Sequence, residues 1–228
     1  MALREAKTLA AEIAAHLQIL SHPNTANVRA LRREFSRHLA QAEPKLIMVL
    51  AFELLRGGEH LLRFVAYELL AHHRTALQSL RATDLTRLGR GMDSWGAVDM
   101  FACYLSGPVW RERQIPDQLI ERWAQSKDRW WRRAALVSTV PLNRKALGGS
   151  GDAKRTLRIC RMLAQDRDDM VVKALSWALR DLIKHDANAV RAFIQKHESV
   201  LAARVLREVR NKLKTGLKNP RQKKKRND

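Results

Sequence analysis

Glycine and proline are sparse in this sequence, at 10 and 6 of 228 residues, and cysteine occurs only twice. Few turn formers, and no stretch that alternates with period two for long, argue against a sheet and for an all-α fold. The cysteines, Cys103 and Cys160, form no CxxC pair and stand in no histidine cluster at metal-ligand spacing, so neither a disulfide scaffold nor a structural metal is expected. They read as core fillers with reduced thiols. A glycine-rich phosphate loop and an HExxH motif are also lacking, which excludes nucleotide-driven and zinc chemistry and predicts a protein without cofactor or metal. No apolar run reaches the roughly 18 residues that span a bilayer. The best, Leu46 to Leu55, is interrupted by Glu53. Met1 to Leu20 lacks a signal-peptide layout, and its Glu5 and Glu12 do not suit an organelle presequence. The expectation is a soluble protein of a bacterial cytoplasm.

Acidic residues are outnumbered, 23 against 43 lysines and arginines, giving a formal charge of +20 and a pI near 11.0. Solubility needs far less, so a polyanionic partner is expected, and nucleic acid is the commoner case. The length suits one sizeable core, read here as a single domain over 1–214 and a basic, disordered tail over 215–228 that binds phosphates nonspecifically.

Apolar periodicity predicts helices over Ala2 to Leu20, Thr25 to Gln41, Pro44 to Leu55, Glu59 to His72, Ser94 to Leu105 and Pro116 to Gln125. Five more follow, over Arg129 to Val140, Asp152 to Gln165, Asp169 to His185, Ala187 to Lys196 and Ala202 to Lys214. Breaks are expected at Ser21-His22-Pro23, Gly57-Gly58, Gly107-Pro108 and Gly148-Gly149-Ser150-Gly151. Segments around Ser94, Arg129 and Asp169 recur at roughly 35 to 40 residues, the period of paired-helix repeats of the HEAT type. The architecture read from this is a curved solenoid of antiparallel helix pairs with a basic concave face, on which one residue from each successive repeat can converge.

Three helices carry residues that do not fit a simple amphipathic pattern. In Asp169 to His185 the stripe Val172, Leu175, Leu179, Leu182 and Ile183 faces the core, while Trp177 falls nearly opposite, among Lys173, Arg180 and Lys184. Trp177 either packs against a neighbouring repeat or serves as a platform against a nucleotide, flanked by phosphate-binding cations. In Arg129 to Val140, Arg133 shares the stripe of Trp130, Ala134, Val137 and Val140, whereas Arg132 points toward solvent and is available to DNA. A charge at the Arg133 position needs an exit or a partner, which an ordinary ion pair or a snorkelling stem would also supply. In Ser94 to Leu105 an indole and a carboxylate, Trp95 and Asp99, lie one turn apart on the flank of the stripe Val98, Phe101, Ala102 and Leu105. Asp93 or Ser94 could be a plain N-cap and Asp99 the partner of an arginine.

At these residues the chain resembles the HEAT-like repeat alkylpurine DNA glycosylases, the AlkD-like family. Ser94-Trp95-Gly96-Ala97-Val98-Asp99 resembles its Ser-Trp-x-x-Val-Asp. Trp130-Trp131-Arg132-Arg133-Ala134-Ala135 is similar to its Trp-x-x-Arg-Ala-Ala, and Lys173-Ala174-Leu175-Ser176-Trp177-Ala178-Leu179-Arg180 to its Lys-Ala-x-x-Trp-x-Leu-Arg. The resemblance covers Arg29 to Lys214; before Leu31-Arg32-Arg33-Glu34-Phe35 the sequence departs from the family's glycine-containing turn and aromatics. It implies a monomeric enzyme that removes N3- or N7-alkylated, cationic purines from duplex DNA without strand cleavage. Asp99 would be the catalytic carboxylate, Trp95 and Trp177 would line the cleft, and Arg133 would hold the DNA backbone or orient Asp99. Two rivals remain: a noncatalytic relative that binds bent or branched DNA, and a scaffold for protein or RNA.

Overall fold

The computed structural model describes residues 2–220, so most of the expected basic tail, residues 221–228, lies outside the described residues. Every regular element among the described residues is helical, and none of these helices is long and apolar enough to cross a membrane. The helices gather into two compact units, residues 1–119 and 120–228.

The first unit begins with α1 (Ala2–Gln18), α2 (Thr25–His38), α3 (Pro44–Leu55) and α4 (His60–His72). Helix α3 lies against both α1 and α4, and α2 against α4, so each helix packs on near neighbours in sequence. Asn24 caps α2 through its side chain, and Pro44 opens α3, where a missing N–H costs nothing. Leu50, Ala51, Leu54, Val65, Ala66, Tyr67 and Leu70 are almost wholly excluded from water between them. Two short helices not expected from periodicity follow, α5 (Arg74–Ser79) and α6 (Ala82–Leu88). At six and seven residues they have too few turns for a stripe to show, and local capping holds them. His73 Nδ1 accepts the Ala76 N–H at 3.2 Å, and Asp84 accepts the Arg81 N–H at 2.9 Å.

Gly107-Pro108 is not the break that the sequence suggested. Helix α7 (Trp95–Phe101) passes through a π-helical turn (Ala102–Ser106) directly into α8 (Gly107–Arg111). In a regular α-helix the Pro108 ring would collide with the carbonyl four residues back, on Tyr104. The wider turn avoids this: Gly107 donates its N–H five residues back, to the Ala102 carbonyl. Helix α9 (Asp117–Ala124) runs across the division between the units.

The second unit contains α10 (Arg129–Val137), α11 (Val140–Asn143), α12 (Ala153–Met162), α13 (Asp169–Leu182), α14 (Ala187–Lys196) and α15 (Ala203–Thr215). The single helix expected through Val140 is two, because Pro141 cannot donate into the preceding turn and sits instead in the first turn of α11. Helix α13 is the centre of this unit and packs on α10, α11, α12, α14 and α15. That explains why more of it is buried than one stripe: Ala174, Ala178 and Asp181 join Val172, Leu175, Leu179 and Leu182. Both cysteines are buried and reduced, as expected of core residues, and complete burial pushes the Cys160 thiol far above its ordinary range.

Candidate functional site

In the first unit the candidate site rests on α7, and α4 fixes the turn that leads into it. Arg63 donates through Nη1 to the Arg90 carbonyl at 3.2 Å and through Nη2 to the Gly91 carbonyl at 3.2 Å, while the Tyr67 hydroxyl donates to the Leu88 carbonyl at 2.8 Å. Gly91 adopts a φ of 70°, a left-handed turn that glycine takes without steric cost. Ser94 then caps α7, its Oγ accepting the Ala97 N–H at 3.4 Å.

Val98 and Phe101 are fully buried, with the Phe101 ring 5.8 Å from that of Tyr67. Helical geometry therefore places Trp95 and Asp99 together off the buried side. Trp95 is 61% exposed, the one tryptophan among the exposed large hydrophobic residues of the described chain, and Asp99 is partly buried. Beside them, a methyl group at Gly96 would meet nothing within 4 Å. The result is an open surface with an indole and a carboxylate one turn apart, at the amino end of a helix whose partial positive charge favours anions.

In the second unit Arg133 is buried, as its place on the apolar stripe required, and its Nη1 donates to the Met170 carbonyl at 2.6 Å, joining α10 to the first turn of α13. Arg132 does not point to solvent. Its Nε meets Asp166 at 2.7 Å and its Nη1 donates to the Ser126 and Lys127 carbonyls at 3.1 and 2.8 Å, because the loop before α13 brings Asp166 alongside. An arginine read as a phosphate ligand is thus anchored as a staple between two loops.

On α13, beyond its first turn, the less buried positions are Lys173, Trp177 and Arg180, the face expected from the helical wheel, and Lys184 follows in the turn after the helix. Lys173 sits 2.6 Å from Asp169 and, with Arg204 at 3.3 Å, holds that carboxyl below the usual carboxylate range. Burial, together with the neighbouring Arg144 cation, lowers the Arg180 pKa, partly offset by Glu208 and Asp181. Its Nε donates to Ser176 Oγ at 3.1 Å, and Ser176 in turn donates to the buried Glu208 at 2.6 Å. Lys184 is exposed.

Two residues that sequence reasoning missed stand beside Trp177. Its indole N–H donates to Asp181 Oδ2 at 2.8 Å, and Arg144, which follows α11, reaches the same carboxylate at 3.0 Å with its guanidinium carbon 5.4 Å from the indole centroid. The four-residue spacing of Trp177 and Asp181 is a legible signal. Arg144 comes from a distant loop and has none.

A formal charge of +20 on an all-helical chain, with an exposed tryptophan on α7, a part-exposed one among cations on α13, and no group of side chains able to hold a metal ion among the described residues, defines an all-α, positively charged protein of the kind that handles a polyanion. The sequence profile of one family, DNA alkylation repair enzyme, matches residues 4–213. The chain belongs to this family, whose members are enzymes of DNA alkylation repair and act on DNA. No curated protein matches the sequence.

Proposed function

We propose that this protein is a monofunctional DNA glycosylase that hydrolyses the N-glycosidic bond of N3- or N7-alkylated purines in duplex DNA and leaves an abasic site. The observation that carries this reading is Trp95, an indole left 61% in solvent one turn before Asp99. Leaving so large an apolar side chain unburied forgoes about 1.5 to 3 kcal/mol, which a ligand surface recovers. The π-helical turn that follows Asp99 supports it, since such turns recur at functional sites.

Alkylation makes the purine cationic, so when the bond from C1′ to nitrogen breaks, its electron pair stays with the base and the base departs neutral. No general acid is then required. Positive charge grows on the sugar, Asp99 stabilises it, and a water adds to C1′ and gives up a proton to the carboxylate. An indole ring face, that of Trp95 or that of Trp177, favours a cationic base over a neutral one by roughly 0.5 to 2 kcal/mol. Arg133 steadies the DNA backbone, and Lys173, Arg180 and Lys184 meet phosphates. No lysine is assigned a Schiff-base role, so the strand stays intact.

The test is release of N7-methylguanine from a duplex oligonucleotide, read as alkali-labile sites, by wild type, Asp99→Asn and Trp95→Ala. The expected result is release by wild type and a fall on the order of 10²- to 10³-fold in Asp99→Asn at unchanged DNA affinity. Tight, salt-sensitive binding without release would replace this reading with that of a noncatalytic DNA-binding relative.

A further inference from the structure

The surroundings of Trp177 carry more than a platform. Asp181 lies on the same helix one turn on and is almost fully buried, and its Oδ2 accepts both the indole N–H at 2.8 Å and Arg144 Nη2 at 3.0 Å. Arg144 starts from a rigid point: Gly149 donates to its carbonyl at 3.0 Å, and Asn143 beside it is bonded to Thr156 at 2.8 Å and to the Asp152 N–H at 3.0 Å. From there its guanidinium carbon stands 5.4 Å from the indole centroid. One aromatic ring is therefore flanked by a fixed negative charge at its edge and a fixed positive charge near its face.

We propose that the Asp181 and Arg144 pair sets how strongly the Trp177 ring selects a cationic over a neutral base, which makes both specificity-determining positioning residues. The inference rests on the reading that Trp177 meets the lesion. A cation approaching the ring is drawn by the ring face and by Asp181 and repelled by Arg144, whereas a neutral base of the same shape feels little of either charge. Removing Arg144 uncovers the carboxylate and sharpens selection. Removing the Asp181 charge leaves Arg144 uncompensated and blunts it. A pair that served only to hold the fold would respond in one direction whichever partner was lost.

The experiment measures Kd for two duplexes, one with N7-methylguanine on a hydrolysis-resistant fluorinated sugar and one with a neutral deaza analogue carrying the methyl group on carbon. The ratio of the two affinities is compared for wild type, Arg144→Gln, Asp181→Asn, the double variant and Trp177→Ala. Arg144→Gln should raise the preference for the cationic base about 3- to 10-fold, Asp181→Asn should lower it by a similar factor, and the double variant should return near wild type. Shifts in the same direction, or none, overturn the inference. The Arg144 side chain is 40% exposed, so its glutamine variant tolerates the change and carries the test alone if Asp181→Asn is unstable. Trp177→Ala separates the two levels: an unchanged ratio removes Trp177 from the lesion and overturns both readings. A lowered ratio with same-direction shifts at Arg144 and Asp181 overturns this one only.

Discussion

Replacing Glu68 by glutamine should strongly destabilise the first unit, because this carboxylate is what keeps two arginines on α2 in place. Glu68 is 2% exposed and accepts Arg32 Nε at 3.1 Å and Arg29 Nε at 2.7 Å. The Arg32 side chain is only 8% exposed, whereas that of Arg29 is 38% exposed. Glutamine keeps the shape but carries no charge, has one acceptor oxygen, and turns an N–H₂ group toward a guanidinium that can only donate. An arginine buried without its counter-charge costs about 3 to 5 kcal/mol, and loss of the more exposed Arg29 contact adds at most about 1 kcal/mol. For a chain of this length about 4 kcal/mol corresponds to a melting temperature roughly 8 to 16 °C lower. Thermal melts followed by circular dichroism and by urea titration would measure it. The companion variant Arg32→Met with Glu68→Met removes both buried charges and should recover most of the loss, since a buried ion pair often exchanges for apolar residues at little cost. A Glu68→Gln protein melting within about 2 °C of wild type, or a double variant as unstable as the single one, would refute the reasoning.

Gly149→Ala should be more severe than its size suggests, because a Cβ there would stand 2.6 Å from the Pro141 carbonyl oxygen and 2.7 Å from the Arg144 and Asn143 nitrogens. Backbone cannot give way as a side-chain tip does, so a loss of about 3 kcal/mol is expected, with Arg144 displaced from Asp181; urea denaturation and the selectivity ratio above would read the two effects. Stability should also fall on acidification. Burial first, then Arg32 and Arg29, lower the His72 pKa from 6.5 against an opposing pull from Glu68, and burial with Arg161 and Lys196 lowers that of His197. The unfolded chain then takes up these protons more readily, so stability is full above about pH 7 and declines as pH drops through 6.5 toward the folded values. Melting of wild type and of His72→Gln and His197→Gln between about pH 7.5 and 5 would check this, the variants giving flatter profiles.

Much of this protein was legible without coordinates, for identifiable reasons. Periodicity located the long helices because a core-facing stripe repeats over three or more turns, so α3 (Pro44–Leu55) and α14 (Ala187–Lys196) have the boundaries expected from sequence. The same principle fixed which side of α13 stays accessible, since residues three and four apart share a face whatever the helix packs on. Family membership was likewise carried by local motifs in order along the chain.

Tertiary structure alone decided the rest. Whether Arg132 meets solvent depended on Asp166, 34 residues later, coming alongside. Pro108 could be read only as a break, whereas a π-helical turn over Ala102–Ser106 carries the chain on into a further helix. The surroundings of Trp177 required Arg144 to arrive from a loop 33 positions earlier, held by a glycine with no room for a methyl group. A sequence specifies which faces are apolar and which side chains carry charge, because these are properties of a residue and its near neighbours. Which charge meets which, and how much water is left between them, is fixed only when distant segments pack, because Coulomb and desolvation energies depend on distances that chain order does not set.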